Sequence, residues 1–318
     1  MIQVSRLWKK FGRTDAVRDL SFAVPEGSAF ALIGANGAGK TTTIKVLMNI
    51  LEPTRGSANV LGVDSRKISP RELAQIGYVS ENQDMPEKLT VAQFLAYLRP
   101  FYPTWDVDLE KSLLRQLRLP LDRKIGNLSH GMRMKMSLAC ALPFRPKLLV
   151  LDEPFSGLDP LVRDEFMEGL LQQAGEMTIL ISSHELGEID GVATHLAFLD
   201  EGRLLFQESM SDLMGRFREV HVTLDHNGGD QNSQDHNGLD HNGKPTSVIT
   251  AAPFPNCWLR IQTVGNVLSF VDTQFSESDV NERLRSLVGP VRTIDAQPMA
   301  LRTIFTTLAR AAREGASR

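Results

Sequence analysis

Apolar positions recur along this chain with two spacings, and the two alternate from one end to the other. Short unbroken apolar runs bounded by turn formers read as buried strands. They occur at Ala29–Ile33 (AFALI), Ile76–Val79, Lys147–Leu151, the run that ends in Ile181–Glu185 (ISSHE), and His195–Leu199. Shorter strands are expected at Ile2–Val4, at Phe22–Val24 and, after an Asp-Glu-Gly turn, at Arg203–Gln207. Between them the apolar spacing becomes helical. A helix is expected over Thr42–Leu51, and another behind a Thr90 cap with Val91, Phe94, Leu95 and Leu98. A third opens at Asp106 or Asp108 and carries Leu109, Leu113 and Leu117, and a fourth follows Ser129 with Met132, Met136, Ala139 and Cys140 on one face. Strands buried on both faces and separated by helices predict an α/β fold around a parallel sheet.

Beyond residue 218 the pattern restarts. Val220, Val222 and Leu224 alternate as in a half-buried strand, and Trp258–Thr263, Val267–Val271 and Val291–Ile294 read as further strands. Ser276 is placed to cap a helix with Val280, Leu284, Leu287 and Val288 inward, stopped by Gly289-Pro290, and Leu301–Ala312 forms a last amphipathic helix. Two domains are therefore expected, 1–218 with a helical insert at about 82–145, and a small α/β unit at 219–318. A flexible loop is expected at 225–247, where Asp-His-Asn-Gly occurs three times, because this composition forms turns and no core. His226, His236 and His241 there offer metal ligands, but nothing fixes their geometry, and a solvated spacer is the simpler reading.

The chemistry lies where strands hand over to loops. Gly34–Thr41 (GANGAGKT) follows a strand and opens a helix, the context of a phosphate-binding loop. Gly34, Gly37 and Gly39 let successive N–H groups, with those of Asn36 and Thr42 nearby, turn toward phosphate oxygens. Lys40 adds a point charge on the outer phosphates, and Thr41 offers a hydroxyl to magnesium. Leu148–Pro154 (LLVLDEP) delivers Asp152 and Glu153 at a strand's C-terminal end, where α/β sheets place ligands. Asp152 suits a magnesium partner and Glu153 a general base for water. Leu128–Met132 (LSHGM) adds a second anion-binding feature, a helix N-terminus with the Ser129 hydroxyl and the bare Gly131 amide.

Bulk properties narrow the class. The chain has 318 residues, a net charge of −3 and 42% hydrophobic residues, with no basic patch for nucleic acid. Cys140 and Cys257 are far apart and in no metal-ligand spacing, which fits a reduced compartment. No apolar run approaches a bilayer span and the N-terminus lacks a secretory signal, so any pore is expected on another polypeptide.

With the phosphate loop, LSHGM and LLVLDEP in this order, residues 1 to 218 resemble the ATP-binding subunit of ABC transporters. The resemblance implies a RecA-like nucleotide-binding core with an antiparallel β subdomain and a helical insert. It implies Mg²⁺-dependent ATP hydrolysis in a dimer, homodimeric or paired, with each ATP between the phosphate loop of one subunit and Ser129 and Gly131 of the other. Ser156–Asp159 matches the dimer-contact loop, His184 the switch histidine, and Phe11 the aromatic residue that stacks on adenine. Two motifs depart from the family. His130 and Met132 replace a glycine and a glutamine, and Glu81 occupies the slot of a magnesium-loop glutamine, with Gln83 as the alternative. The implied partner is an integral membrane permease, with this subunit cytoplasmic and peripheral on the inner face of the membrane. The C-terminal unit resembles those of drug, lipid or ion exporters. An importer ATPase and a soluble ATPase acting on ribosomes or nucleic acid are the rival readings.

Overall fold

A computed structural model describes residues 1–81, 83–175, 177–225 and 254–316. The Asp-His-Asn-Gly repeats beyond Asp225 lie outside the described residues. The chain divides into two compact units, Met1–Met210 and Ser211–Arg318.

In chain order the first unit contains β1 (Ile2–Phe11), β2 (Thr14–Val24), β3 (Ala29–Ile33), α1 (Lys40–Leu47), β4 (Arg55–Val60), β5 (Val63–Asp64), α2 (Pro70–Leu73) and β6 (Ile76–Ser80). It continues with α3 (Val91–Leu98), α4 (Val107–Gln116), α5 (His130–Ala141), β7 (Leu148–Asp152), α6 (Pro160–Ala174), β8 (Thr178–Ser183), β9 (His195–Asp200) and β10 (Arg203–Ser209). One sheet, β2-β1-β4-β5, is antiparallel throughout. The other has the order β10-β9-β3-β8-β7-β6 and is parallel except for the β10 hairpin. The antiparallel sheet, α1 and the parallel strands share one apolar core that includes Leu7, Leu20, Phe30, Ile44 and Val150. All five residues of β7 are buried, as expected of a central parallel strand.

Register assembles the site. Ile33 pairs with Ser183, Ser182 with Asp152, and Asp152 with Ser80. The C-terminal ends of β3, β8, β7 and β6 therefore form one row, and the loops that leave them are neighbours.

Several expected bounds change. The two short N-terminal strands are the ends of a long hairpin that turns at Gly12-Arg13. A register shift between Val4 and Leu7, with Arg6 at φ 44°, marks a β-bulge that breaks the alternation on which strand recognition depends. Helix α1 begins at Lys40 and ends at Leu47, so both the loop lysine and Thr41 belong to its first turn. Helices α3 and α4 take the expected caps. Thr90 and Gln93 form a reciprocal capping box, and Asp106 accepts from the N–H groups of Asp108 and Leu109.

The second unit begins within α7 (Met210–Arg216) and continues as β11 (Arg218–Leu224), β12 (Trp258–Val264), β13 (Val267–Asp272), α8 (Glu277–Val288), β14 (Val291–Pro298) and α9 (Leu301–Ala316). Its antiparallel sheet has the order β12-β13-β11-β14. Val220, Val222, Trp258, Phe270, Val280 and Leu284 form its core. Ser276 precedes α8, but its hydroxyl faces the Ser278 hydroxyl at 3.1 Å and makes no capping bond. Strand β14 and helix α9 each run four residues beyond their expected ends.

Candidate active site

The loop from Gly34 to Gly39 owes its shape to three glycines with different reasons. Gly37 (φ 85°) and Gly39 (φ 99°) occupy the left-handed region, which disfavours any side chain. Gly34 has no such backbone. A Cβ there would lie 2.4 Å from the Leu199 carbonyl oxygen, so it is glycine because β9 passes against it. Asn36 is exposed on the loop, and Thr42 is half-buried in the first turn of α1.

Lys40 is 4% exposed and is held from three sides. Its Nζ donates to the carbonyls of Gly34 (2.6 Å) and Ala35 (3.2 Å) and pairs with Glu153 Oε1 at 2.9 Å. The other Glu153 oxygen, Oε2, accepts from His184 Nδ1 at 2.7 Å. Lys40 at the start of α1, Glu153 just after β7 and His184 just after β8 thus form one continuous polar chain. Glu153 itself sits at φ 51°, and its N–H donates to Ser182 Oγ (2.9 Å).

Asp152 lies beside this chain. Its Oδ1 accepts from Thr41 Oγ1 (3.0 Å) and from Ser182 Oγ (2.8 Å). Burial pushes its carboxyl pKa up, partly opposed by these two hydroxyls. His184 is also raised, mainly because Glu153 accepts its N–H. The Glu81 N–H donates to the Asp152 carbonyl (3.3 Å), which puts residue 81 next to the β7 end. Gln83 instead lines an apolar groove with Tyr78, Met85 and Phe94. Thr41 Oγ1 and Asp152 Oδ1 form a hard-oxygen pair that fits magnesium.

Two members of the site were not singled out from sequence. Ser182 bridges Asp152 to the Glu153 backbone, and the register of β7 against β8 sets that role. Glu188 is buried, hydrogen-bonded by the Ser183 hydroxyl, and raised in pKa by burial. Ligand atoms of Glu153, His184 and Glu188 lie within 4.8 Å of one another. A carboxylate four residues after the motif histidine is the only sequence signal for Glu188.

The remaining candidates sit elsewhere. Phe11 ends β1, 46% exposed, with Lys9 Nζ 5.0 Å from its ring centroid. Ser129 caps α5 by accepting from the Met132 N–H (3.3 Å). A Cβ on Gly131 would meet Val162 Cγ1 at 2.8 Å, so that glycine lets α5 approach α6. Asp159 caps α6 by accepting from the Val162 N–H (3.0 Å). His130 Nε2 lies 3.0 Å from the Ser156 carbonyl, tying the α5 N-terminus to the turn after Glu153. Among the described residues, no hydrogen bond or ion pair joins Phe11, Ser129, Gly131 or Asp159 to the Lys40–Glu153–His184 chain.

Comparison with known proteins gives a consistent result. A family profile described as ABC transporter matches residues 17–156. The lantibiotic transport ATP-binding protein SrtF of Streptococcus pyogenes is 32% identical over 219 residues, which cover 65% of this chain and 90% of that protein. The bacitracin transport ATP-binding protein BcrA of Enterococcus faecalis is 33% identical over 226 residues, covering 69% and 72%. A solved ATP-binding subunit of an ABC transporter superposes with a TM-score of 0.62 at 30% identity, covering 68% of this chain and 92% of that one. The chain belongs to the ATP-binding subunits of ABC transporters, and the reaction its strand ends serve is ATP hydrolysis.

Proposed function

We propose that two copies of this subunit, or one copy and a paired subunit, close on ATP and that hydrolysis drives a separate membrane permease that exports its substrate. The observation that carries the catalytic part is Glu153, held between Lys40 and His184 at the carboxyl edge of the sheet. A γ-phosphate competes with Glu153 for the Lys40 ammonium. Once Lys40 turns to phosphate, the Glu153 carboxylate, still oriented by His184, is free to accept a proton from an in-line water. The raised pKa of His184 favours its protonated form, which suits a donor to phosphate oxygen. Magnesium bound by Thr41 and Asp152, with Glu81 as a further oxygen donor, would offset charge on the outer phosphates. Asn36, Gly37, Gly39 and Thr42 line the phosphate path, and Phe11 offers a π face to the base. Ser129, Gly131 and Asp159 belong to the surface presented to the second subunit.

Export is supported by the lantibiotic, bacitracin and multidrug transport named for the relatives. No helix among the described residues is long and apolar enough to cross a membrane, which fits a peripheral subunit at the inner face with a separate permease. The unit from Ser211 onward is read as an accessory domain.

The test is Glu153→Gln. Turnover should fall by a factor of roughly 10²–10⁴ while ATP binding persists and an ATP-held dimer accumulates in size-exclusion chromatography. Near-normal hydrolysis would remove Glu153 from the role of general base.

A further inference from the structure

The second unit contains a cavity of 520 Å³ between α8 and β14, within the roughly 300–1,000 Å³ typical of small-molecule sites. Helix α8 contributes Val280, Asn281 and Arg285, and β14 contributes Arg292, Ile294 and Ala296. Gly289 (φ 82°) and Pro290 reverse the chain between these elements. The reversal puts Arg285, in the last turn of α8, and Arg292, at the start of β14, at the same end of the cavity.

Three observations set these arginines apart. First, β14 is an edge strand, and its ladder with β11 pairs Thr223 with Thr293 and Leu224 with Val291, which leaves Arg292 without an opposite residue. Such a bulge re-aims a side chain. Second, neither the Arg285 nor the Arg292 side chain forms an ion pair or hydrogen bond among the described residues. Third, one part of the wall is apolar, beside the polar Asn281 and Thr293: Val280 is buried, and Ile294 and Ala296 pack against the core of the unit. An arginine on an edge strand also deters strand pairing. That role needs one charge, however, and does not explain a second from a helix lining the same cavity.

We propose that this cavity binds a small organic anion, an apolar body carrying one phosphate or carboxylate group. Two planar guanidinium forks match such a head, and Val280, Ile294 and Ala296 receive the body. Glu277 also lines the cavity, from the first turn of α8. Its carboxylate confines the ligand's negative charge to the arginine end.

Isothermal titration of the full chain with decyl phosphate below its micellar concentration tests this. Saturable one-to-one binding is expected, about tenfold or more weaker in Arg285→Gln/Arg292→Gln, and intermediate in Arg292→Lys, which keeps charge but loses the fork. Ala296→Trp, which fills the cavity and spares both arginines, should also lose binding. Unchanged melting temperature and basal ATPase in the arginine variants would exclude misfolding as the cause. Equal affinity in wild type and the double variant would overturn the proposal. Inorganic phosphate binding as tightly as decyl phosphate would overturn it too, because the apolar wall would then have no role. Vesicles of phosphatidylcholine with phosphatidic acid separate the sources. Binding to vesicles without binding of monomeric decyl phosphate would replace the pocket by a surface contact.

Discussion

Glu153 is held in a costly conformation. A non-glycine residue at positive φ carries strain of order 1–3 kcal/mol, and at φ 51° Glu153 is kept there by Ser182 on its N–H and by Lys40 and His184 on its carboxylate. The same contacts couple its charge to His184. Because the folded-state pKa of His184 is raised, the interaction contributes stability that is fully present below the ordinary histidine value of about 6.5 and is lost as pH rises through the raised value. Glu153→Gln removes the carboxylate that raises it, so the His184 imidazole should titrate at lower pH in the variant when followed by NMR. An unmoved titration would mean that the two groups are not coupled in solution. Lys40→Ala should weaken ATP binding, through the loss of a positive charge on the outer phosphates, and leave AMP affinity nearly unchanged. Calorimetry with both nucleotides would check it. Gly34–Thr41, Asp152, Glu153 and His184 were legible in the sequence because each lies in a contiguous motif at a strand end. Ser182 and Glu188 were not. Ser182 acts through strand register, and Glu188 reaches the site through a short 3₁₀ turn, Leu186–Glu188, that residue spacing does not reveal.

Among the elements, the N-terminus of α5 carries three separate contacts within its first turn. Ser129 caps the helix, Gly131 lets it meet α6, and His130 reaches the Ser156 carbonyl. Ser129→Ala should therefore cost about 1 kcal/mol of helix stability through the lost cap. Ser129→Arg has a different purpose, which is to fill the anion-binding helix end with bulk and charge. It should abolish hydrolysis while sparing ATP binding to the monomer, read as turnover against nucleotide affinity. Persisting turnover, first order in enzyme at low concentration, would contradict a site completed by a second subunit. Elements whose apolar pattern is uninterrupted, such as β3 and β7, were legible almost to the residue. Strand β1 was not, because the bulge at Arg6 shifts the side-chain alternation midway, and a pattern of period two loses its phase at such a point.

For the whole molecule, the question is what the hydrolysis moves. The first unit carries a groove of 370 Å³, lined by Met48, Tyr78, Met85, Phe94, Leu98 and Phe144. Beside it on α3 and the following turn, Phe94 stacks on Tyr97 and Tyr97 meets Phe101 at a tilt of 60°, with Tyr97 59% and Phe101 62% exposed. A run of exposed aromatics next to an apolar groove is a surface suited to another protein rather than to water. On the reading offered above, that protein is the permease, which must be engaged close to the residues that sense ATP. Gln83 lines the groove, and Glu81, two residues earlier, bonds the Asp152 backbone, so the groove and the active site share one loop. Phe101→Glu should reduce recovery of the subunit with membranes and with its polytopic partner, and leave basal ATPase of the isolated subunit unchanged. Glu81→Ala should leave the fold intact and lower transport, with or without a loss of basal turnover. Pull-down from native cells is the deciding measurement. Recovery with ribosomes or DNA and without any polytopic membrane protein, in wild type as well as Phe101→Glu, would remove the permease from the account and leave an ATPase that acts on a soluble assembly.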